Sequence, residues 1–368
     1  MDVNLVAPVN ELGYGVVGYN LLKTLDKLGN NVAFFPIGPV RWAGDAGLRS
    51  LIDKTRGNAL MYNKDADCIR LWHQFELDLF VGKGRHIGWP IFELNRFNDR
   101  ERLHLESVDI LFVCSQWAKD VIEENGIQVP TFVVPLGVDL DVFNLNESEK
   151  NSRPSYCKNS TIFINIGKWE KRKGHEELLL AFSEAFEEGD DVELWMINDN
   201  PFIKTGNNEW RKKFASSKMG AHVKFFDRFD MHSHLRVLFN QADCGVFPSH
   251  AEGWNLEIPE LFACGTHVIA TNYSGHTEFV NEDNTFLIEP NGMELAQDGL
   301  WFHGQGEWCS YPVQSLIDRL KEVHELKQTG KLGINEAGLE TARRFTWENT
   351  VSRLKLALQE TQLVSQGS

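Results

Sequence analysis

Two carboxylates in a short loop-and-helix pattern stand out between residues 247 and 270. Glu252 and Glu260 are eight positions apart, and apolar runs precede and follow their segment. The pattern predicts a strand end, a glycine loop, a helix over residues 256–264 and another strand. The N–H groups at the start of a helix favour a phosphate, and carboxylates accept hydrogen bonds from hydroxyls. A phosphate flanked by hydroxyls on both sides predicts a nucleotide sugar as the ligand.

A second segment, residues 165–176, concentrates positive charge at the end of a predicted strand. Lys168, Lys171, Arg172 and Lys173 stand within six residues in a chain whose formal net charge is −15. A solvated basic loop is the usual interpretation of such a run. Because ligands bind at the carboxyl edge of open parallel sheets, we also interpret it as a diphosphate site. Lys168 and Lys173 are the primary candidates, and Lys171 and Arg172 the secondary ones.

The segment from Gly13 to Gly18 fits the pattern G-x-G-x-x-G after a strand and before a helix. A dinucleotide site would also need an acidic residue at the end of the second strand, and the residues there, 35–38, include none. Two other interpretations stay open. The glycines either let the helix pack closely on the sheet or form a flexible loop that approaches a ligand across a cleft. The second interpretation makes Gly15 a candidate donor-binding residue.

Apolar runs alternate with helical patterns along the chain, which predicts α/β architecture with parallel sheets. Predicted strands cover residues 3–8, 31–36, 67–71, 77–81, 85–90, 109–114, 131–135, 161–166, 192–197, 222–226, 244–248, 267–271 and 286–288. Predicted helices cover residues 16–28, 116–125, 176–186, 232–241, 256–264, 314–329, 332–345 and 347–362. Residues 291–312 are rich in Gly and Trp and predict irregular structure.

A polar segment at residues 144–160 predicts a linker between two domains. The predicted boundaries are 1–150 for an N-terminal domain and 151–347 for a C-terminal domain. A terminal helix near residues 348–368 is expected to pack back on the first domain. With 368 residues, the chain is long enough for two cores.

Bulk composition excludes some classes of partner. The net charge of −15 argues against nucleic acid, whose recognition depends on basic surface. The six cysteines are scattered without a Cys-x-x-Cys pattern, which is typical of reduced thiols in a cytoplasmic protein. No apolar run approaches about 18–20 residues, and no basic-then-apolar leader is recognisable, so we expect neither a transmembrane segment nor a signal peptide.

These segments together resemble family 4 of the retaining glycosyltransferases, which have the GT-B fold. The glycines and lysines Gly167-Lys168 and Lys173-Gly174 match the family's basic loop. Residues 252–260, EGWNLEIPE, match its pattern Glu-Gly-Phe-Gly-Leu-Pro-x-x-Glu, and residues 261–269 match the helix and strand that follow. In the N-terminal half, residues 109–117 and 134–139 resemble the family's domain-closing strand and its Pro-x-Gly-Val-Asp turn. The resemblance therefore touches most of the chain.

The resemblance implies two Rossmann-like α/β domains facing each other across a cleft, the N-terminal one for the acceptor and the C-terminal one for the donor. The donor would be a UDP- or GDP-linked hexose, and the acceptor a hydroxyl on a saccharide, lipid or protein. Lys168, Lys173 and Glu252 would be the catalytic residues, with Glu252 facing the transferred sugar and Glu260 the ribose. Donor binding would also involve Gly253, Trp254, Asn255 and Leu256.

The sequence departs from the family pattern at three positions. Asn255 stands where the family has its second glycine, Glu257 adds a negative charge that we expect to point away from the diphosphate, and Lys168 replaces the commoner Arg. Pro259 is compatible with the first turn of a helix.

On the N-terminal side, His73, His86 and Glu93 are candidates for contact with the acceptor or sugar. The family often has a histidine in its catalytic site, and residues 88–93 resemble a Gly-Tyr-x-x-Phe-Glu segment of one family branch. A structural role for either histidine, or a solvated loop carboxylate at Glu93, remains an open alternative.

The mechanism implied by the resemblance needs no cofactor and no metal. The sugar–phosphate bond breaks through an oxocarbenium-like state, while Lys168, Lys173 and nearby backbone amides stabilise the charge that grows on the diphosphate. Retention of configuration is implied by the family alone. Domain closure would exclude water. The alternatives are a nucleotide-sugar epimerase or phosphorylase of the same fold, an NAD-dependent oxidoreductase, and a non-catalytic nucleotide- or carbohydrate-binding module.

Overall fold

A computed structural model describes residues 1–41, 47–229 and 232–366 and divides the chain into two units. Unit 1 comprises Met1–Asp139 with the C-terminal residues from Arg344 onward, and unit 2 comprises Leu140–Arg343. Each unit is built around its own six-stranded parallel sheet. Within the described ranges, every helix is too short or too polar to span a bilayer.

Unit 1 begins with a strand, a helix and a second, parallel strand, as the sequence predicts. Its strands are β1 Asp2–Ala7, β2 Asn31–Pro36, β3 Cys68–Arg70, β4 His86–Gly88, β5 Ile110–Val113 and β6 Thr131–Val133. Its first helices are α1 Gly13–Lys27, α2 Leu48–Leu60, α3 Asp99–Glu106 and α4 Gln116–Glu124. The sheet order is β2-β1-β3-β4-β5-β6, so the direction of strand addition reverses between β1 and β3.

Unit 2 repeats this βα architecture and adds an antiparallel hairpin. Its helices are α5 Glu147–Lys150, α6 His175–Ala185, α7 Lys204–Ala215, α8 His232–Gln241, α9 Glu257–Ala263, α10 Val313–Gln328 and α11 Glu336–Arg344. Its strands are β7 Thr161–Gly167, β8 Val192–Asn198, β9 Val223–Phe225, β10 Cys244–Phe247, β11 His267–Thr271, β12 Phe286–Ile288, β13 Gly292–Gln297 and β14 His303–Ser310. The parallel sheet has the order β12-β11-β10-β7-β8-β9, and β13 pairs with β14.

The last helix, α12 Trp347–Gln366, belongs to unit 1. Lys27 Nζ in α1 lies 2.9 Å from Glu348 Oε1, and Thr350 Oγ1 donates to Pro135 O at 2.8 Å. These contacts attach the end of the chain to the unit in which it begins.

The polar segment at residues 144–160 is part of unit 2, so the structure divides the chain at Asp139/Leu140 rather than at residue 150. The reason is local hydrogen bonding. Asn146 N donates to Asn240 Oδ1 at 2.8 Å, and Arg236 pairs with Glu149. Helix α8 thereby holds the segment that composition alone marks as a linker.

Two local predictions are wrong. Residues 77–81 form no strand, because the Arg70 guanidinium binds the carbonyl oxygens of Glu76 and Leu79 at 2.7 and 3.2 Å in place of a strand partner. Residues 291–312, predicted to be irregular, contain the β13–β14 hairpin. Helices α2, α3, α5 and α7 were not predicted, although α3 begins with a capping box in which Asn98 and Glu101 bind each other's backbone N–H.

Candidate active site

In unit 2, the two chemically distinctive segments follow neighbouring strands. Strand β7 lies between β10 and β8, so the direction of strand addition reverses between β7 and β10. Loops diverge from such a switch point, and open parallel sheets bind ligands there. Residues 168–174 follow β7 and residues 248–256 follow β10. His250 N donates to Arg172 O at 2.7 Å and joins the two loops.

A chain of ion pairs connects the basic loop to the first carboxylate of the acidic loop. Lys168 Nζ lies 2.7 Å from Glu170 Oε1, and Glu170 Oε2 lies 2.9 Å from Arg172 Nη2. Arg172 Nη1 lies 2.8 Å from Glu252 Oε2, and Lys173 Nζ lies 2.6 Å from Glu252 Oε1. The Lys168 side chain is 39% exposed, whereas the other four residues are buried. These five residues are three cations and two carboxylates, so together they carry one excess positive charge.

The charges of these five ion-paired residues stabilise one another. Burial alone would raise the pKa of the Glu252 carboxyl, but Arg172 and Lys173 hold it well below its usual range. Burial opposes the charge on Lys173 as well, yet Glu252 raises its pKa above the ordinary value. Glu252 is therefore ionised and Lys173 protonated at neutral pH, which a buried pair needs in order to be tolerated.

Glu257, the acidic residue that departs from the family pattern, is half-buried at the first position of α9. Burial raises the pKa of its carboxyl, the nearby Lys173 ammonium opposes the rise, and the charge of Glu252 adds to it. Glu257 therefore lies within electrostatic range of both residues.

Backbone geometry fixes the basic loop. Gly174 has φ +69°, and a Cβ there would lie 2.1 Å from Pro248 O, so only glycine fits between the two loops. Beside it, His175 Nδ1 lies 3.0 Å from Glu170 O and its Nε2 3.0 Å from Asn198 Nδ2. Burial lowers the pKa of His175 to about 4, so this imidazole is neutral and serves to support the loop.

The acidic loop is fastened to the segment that follows β11. Ser249 Oγ donates to Glu252 Oε1, Glu252 N donates to Ser274 Oγ, and Gly275 N donates to Glu252 O, each at 2.8 Å. Asn255 and Ser274 have φ values of +85° and +55°, which are rare for residues other than glycine. Strained residues held by several hydrogen bonds are typical of functional loops.

The remaining donor-side candidates lie in or next to this loop. Gly253 and Trp254 are buried, and the Trp254 ring packs edge-on against Phe279 at 4.8 Å. Leu256 is half-buried immediately before α9, and Glu260 lies inside α9 with 7% of its surface exposed. The structure thus brings Lys168, Lys173, Glu252 and Glu260 onto the loops and helix at one edge of one sheet.

In unit 1, the glycine-rich segment is helical rather than a flexible loop, because α1 begins at Gly13. A Cβ at Gly15 would lie 2.3 Å from Asn10 Oδ1, and one at Gly18 would lie 2.0 Å from Pro8 O. The loop after β1 therefore crosses α1 closely, which accounts for two of the glycines by packing. This geometry favours the close-packing interpretation over ligand approach.

Two of the three acceptor-side candidates lie at the carboxyl edge of the unit 1 sheet. His73 follows β3, and its ring centroid is 4.6 Å from that of Tyr14. Tyr14 Oη donates to Ile91 O at 2.9 Å in the segment that leads to Glu93. Burial and then the charge of Glu93 raise the pKa of Tyr14. Tyr14 and His73, which follow β1 and β3, thus meet at the switch point of this sheet, and Glu93 follows β4 at the same edge.

His86 lies elsewhere. It is the first residue of β4, at the amino end of the parallel strands, and its ring stacks on Phe80 at 4.3 Å with an interplanar angle of 4°. A packing role accounts for this position. We therefore do not include His86 among the proposed acceptor contacts.

Several residues of the site were missed in the sequence. Glu170 bridges two cations, Ser249 and Ser274 hold Glu252 and its loop, and His276 contacts Asn255. Positions 274–276 follow β11 at the same edge of the sheet as the basic and acidic loops. Because β11 is predicted from the sequence, its position at the carboxyl end of that strand could have identified this segment as part of the site. The ion pairs of Glu170 depend on side-chain geometry that spacing does not reveal.

Comparisons with known proteins agree with this architecture. Residues 147–300 match the family model described as glycosyl transferases group 1. The chain is 23% identical over 260 residues to the capsular polysaccharide biosynthesis glycosyltransferase CapM of Staphylococcus aureus, covering 70% of this chain and 61% of CapM. It is 24% identical over 271 residues to a D-inositol 3-phosphate glycosyltransferase of Corynebacterium jeikeium, covering 71% of this chain and 59% of the relative. The chain therefore spans less than two thirds of the length of these curated relatives.

Solved structures share the fold over nearly the whole chain. Anabaena Alr3699/HepE, solved in complex with UDP-glucose, aligns with a TM-score of 0.71 at 16% identity, covering 98% of this chain and 99% of the other. The sucrose-phosphate synthase of Thermosynechococcus elongatus aligns with a TM-score of 0.70 at 16% identity, covering 100% and 98%. The predicted GT-B fold class, with two Rossmann-like units and parallel sheets, is confirmed. The match to the family model is confined to residues 147–300, which lie within unit 2 and make up less than half of the 368-residue chain.

Proposed function

We propose that this protein is a retaining glycosyltransferase that moves a hexose from a UDP- or GDP-linked donor to an acceptor hydroxyl without a metal ion. The observation that carries the proposal is the 2.6 Å contact between Lys173 Nζ and Glu252 Oε1 at the switch point of unit 2. It joins the cationic loop and the acidic loop, which recognise the two different parts of a nucleotide sugar. The family match over residues 147–300 supports the same activity.

The cations would act on the leaving diphosphate. Lys168 is partly exposed, and Lys173 has ammonium protons beyond the one directed at Glu252, so both can donate to phosphate oxygens. Arg172 instead directs Nη1 at Ala251 O and Glu252 and Nη2 at Glu170, which makes it a positioning residue. Charge grows on the diphosphate as the sugar bond breaks, and donors already aimed at it lower the barrier.

The carboxylates would bind hydroxyls. Glu252 is ionised and accepts hydrogen bonds, and its role is to hold the transferred sugar, while Glu260 in α9 would hold the ribose. Backbone N–H groups at Gly253, Trp254 and Leu256 would add contacts to the diphosphate. Retention and membership of family 4 rest on the motif resemblance.

The acceptor side would be in unit 1, at His73 and Glu93. The names of the relatives include a capsular polysaccharide enzyme, inositol phosphate enzymes and an alpha-monoglucosyldiacylglycerol synthase of Streptococcus pneumoniae, so saccharide and lipid acceptors both have support. Tyr14 and Trp72, whose ring centroids are 5.5 Å apart, lie beside His73 and suit contact with a sugar ring.

A thermal-shift screen of UDP, GDP, ADP and their sugars tests the proposal. A ligand at 100 times its dissociation constant stabilises the folded state by about 2.7 kcal/mol. For a unit of about 200 residues this raises the midpoint by roughly 5–11 °C. We expect such a shift either with UDP and a UDP-linked hexose or with GDP and a GDP-linked hexose. No shift with any nucleotide or nucleotide sugar would contradict the proposal.

Product analysis then separates the alternatives. A transferase releases the nucleoside diphosphate when an acceptor is added, an epimerase changes the sugar without releasing it, and a binding module does neither. Stabilisation by NAD, with none by nucleotide sugars, would instead favour an oxidoreductase.

A further inference from the structure

Asn255 holds a backbone conformation that normally requires glycine. Its φ is +85°, and glycine stands at this position in the motif that the loop resembles. Asparagine is among the residues that tolerate this region best, although the conformation still costs free energy. The chain therefore keeps the glycine-like backbone and adds an amide side chain to the loop that carries Glu252.

His276 fixes the orientation of that amide. Asn255 Nδ2 lies 3.1 Å from His276 Nε2, and His276 Nδ1 lies 3.0 Å from Thr271 O. The carbonyl oxygen of Thr271 can only accept, so Nδ1 carries the ring proton and Nε2 accepts from Asn255. Burial lowers the pKa of His276 to about 4, in agreement with a neutral ring at pH 7. Asn255 Oδ1 must then face away from the imidazole.

Asn255 Oδ1 is a buried acceptor without a donor in the part of the chain that the structure describes. The residue is 7% exposed. A buried carbonyl oxygen left without a hydrogen bond is costly, which favours a ligand that brings a donor. Phosphate oxygens carry no proton when ionised and cannot fill this role, whereas sugar hydroxyls can.

The loop contacts indicate which part of the nucleotide sugar supplies this hydroxyl. Asn255 is tied through His276 to the same segment, residues 274–276, whose Ser274 and Gly275 hold the backbone of Glu252 at 2.8 Å. The Oδ1 atom is therefore coupled to the end of the loop that we assign to the transferred sugar. Glu260, assigned to the ribose, lies on the next helix.

We propose that Asn255 is a specificity-determining residue whose Oδ1 accepts a hydroxyl of the transferred hexose, with His276 as its positioning residue. This inference rests on the proposed function and goes further by assigning sugar recognition to a side chain that the glycine of the motif lacks.

Calorimetric titration of Asn255→Gly with UDP and with UDP-glucose, or with the GDP pair if the thermal-shift screen selects it, tests the inference. Glycine suits φ +85°, so this variant should fold. We expect binding of the nucleotide sugar to weaken about tenfold and binding of the bare nucleoside diphosphate to stay within twofold. His276→Ala frees the amide to rotate. It should likewise raise the ratio of the dissociation constant of the nucleotide sugar to that of the nucleoside diphosphate, with no further loss in the double variant.

An unchanged ratio in Asn255→Gly would overturn the inference while leaving the proposed function intact. Equal loss for both ligands would place Oδ1 at the ribose and overturn the assignment to the hexose. A wild-type protein that binds neither ligand would remove the proposed function and this inference with it.

Discussion

Replacing Lys173 by Met separates its structural role from its catalytic one. The substitution keeps most of the side-chain volume and removes the ammonium that lies 2.6 Å from Glu252 Oε1. Glu252 would retain Arg172 Nη1 at 2.8 Å and Ser249 Oγ at 2.8 Å. The carboxylate therefore stays ionised and oriented, but it loses the closest of its positive charges.

The expected magnitudes follow from burial and from the remaining partners. Removing one partner of a buried ion pair costs about 3–5 kcal/mol, and the remaining contacts of Glu252 place this case near 3. For a unit of about 200 residues, that lowers the unfolding midpoint by roughly 6–12 °C. Loss of one donor aimed at a developing anion lowers turnover by about 10²–10³-fold. Affinity for the donor should fall less than turnover, because the interaction strengthens as the leaving group becomes charged.

The assay is release of the nucleoside diphosphate from the donor selected by the thermal-shift screen, measured well below the melting midpoint of the variant. The matched control is Lys171→Met. Lys171 is a secondary candidate in the sequence, but its side chain is exposed and its Nζ donates to Gln297 O, outside the ion pairs that join Lys168 to Glu252. We expect turnover of the control within a few-fold of the wild type. Folded Lys173→Met protein with unchanged turnover would refute the role of Lys173 at the leaving group, whatever its stability.

Three further predictions concern the loops, the ribose contact and pH. Gly174→Ala should destabilise unit 2 by about 1–3 kcal/mol in a thermal melt. Gly189→Ala is its control, because a Cβ there meets open space, and it should change stability by less than about 0.5 kcal/mol. Equal effects of the two substitutions would contradict the close approach of the loops. Glu260→Gln should weaken the bare nucleoside diphosphate about tenfold by calorimetry, and unchanged binding would remove Glu260 from the site. Burial opposes both charges of the pair His250–Glu177, 3.2 Å apart, yet the pKa of His250 is raised from 6.5 and that of Glu177 is lowered from 4.5. The pair is therefore fully stabilising between pH 4.5 and 6.5, and its contribution is lost as pH rises through the folded-state pKa of His250 or falls through that of Glu177. His250→Gln should flatten this profile in melts across pH, and an unaltered profile would exclude the pair.

The architecture of the protein was accessible from the sequence because central strands of both sheets, such as β1, β5, β7 and β10, are buried and mainly apolar. Strand β2 has the predicted bounds, and β7 and β11 differ from them by one residue or less at each end. The spacing of Glu252 and Glu260 and the cations after β7 gave the candidate site, because both segments follow strands whose carboxyl ends share an edge.

Side-chain geometry and tertiary contacts account for what the sequence did not reveal. The bridging role of Glu170 and the inward direction of Arg172 depend on buried ion pairs, which no residue spacing specifies. Residues 77–81 look like a strand, but the Arg70 guanidinium satisfies the carbonyl oxygens at positions 76 and 79. Gly15 resembles a ligand-loop glycine, although its requirement is set by Asn10, which would contact any Cβ.

A crystal structure with the nucleoside diphosphate that gives the largest thermal shift tests the central claim most directly. The claim is that the loops after β7 and β10 hold a diphosphate between lysines and carboxylates. We predict phosphate oxygens within hydrogen-bonding distance of Lys168 Nζ and Lys173 Nζ, with the ribose hydroxyls at Glu260. A diphosphate bound away from both lysines, or a ribose away from Glu260, would contradict it.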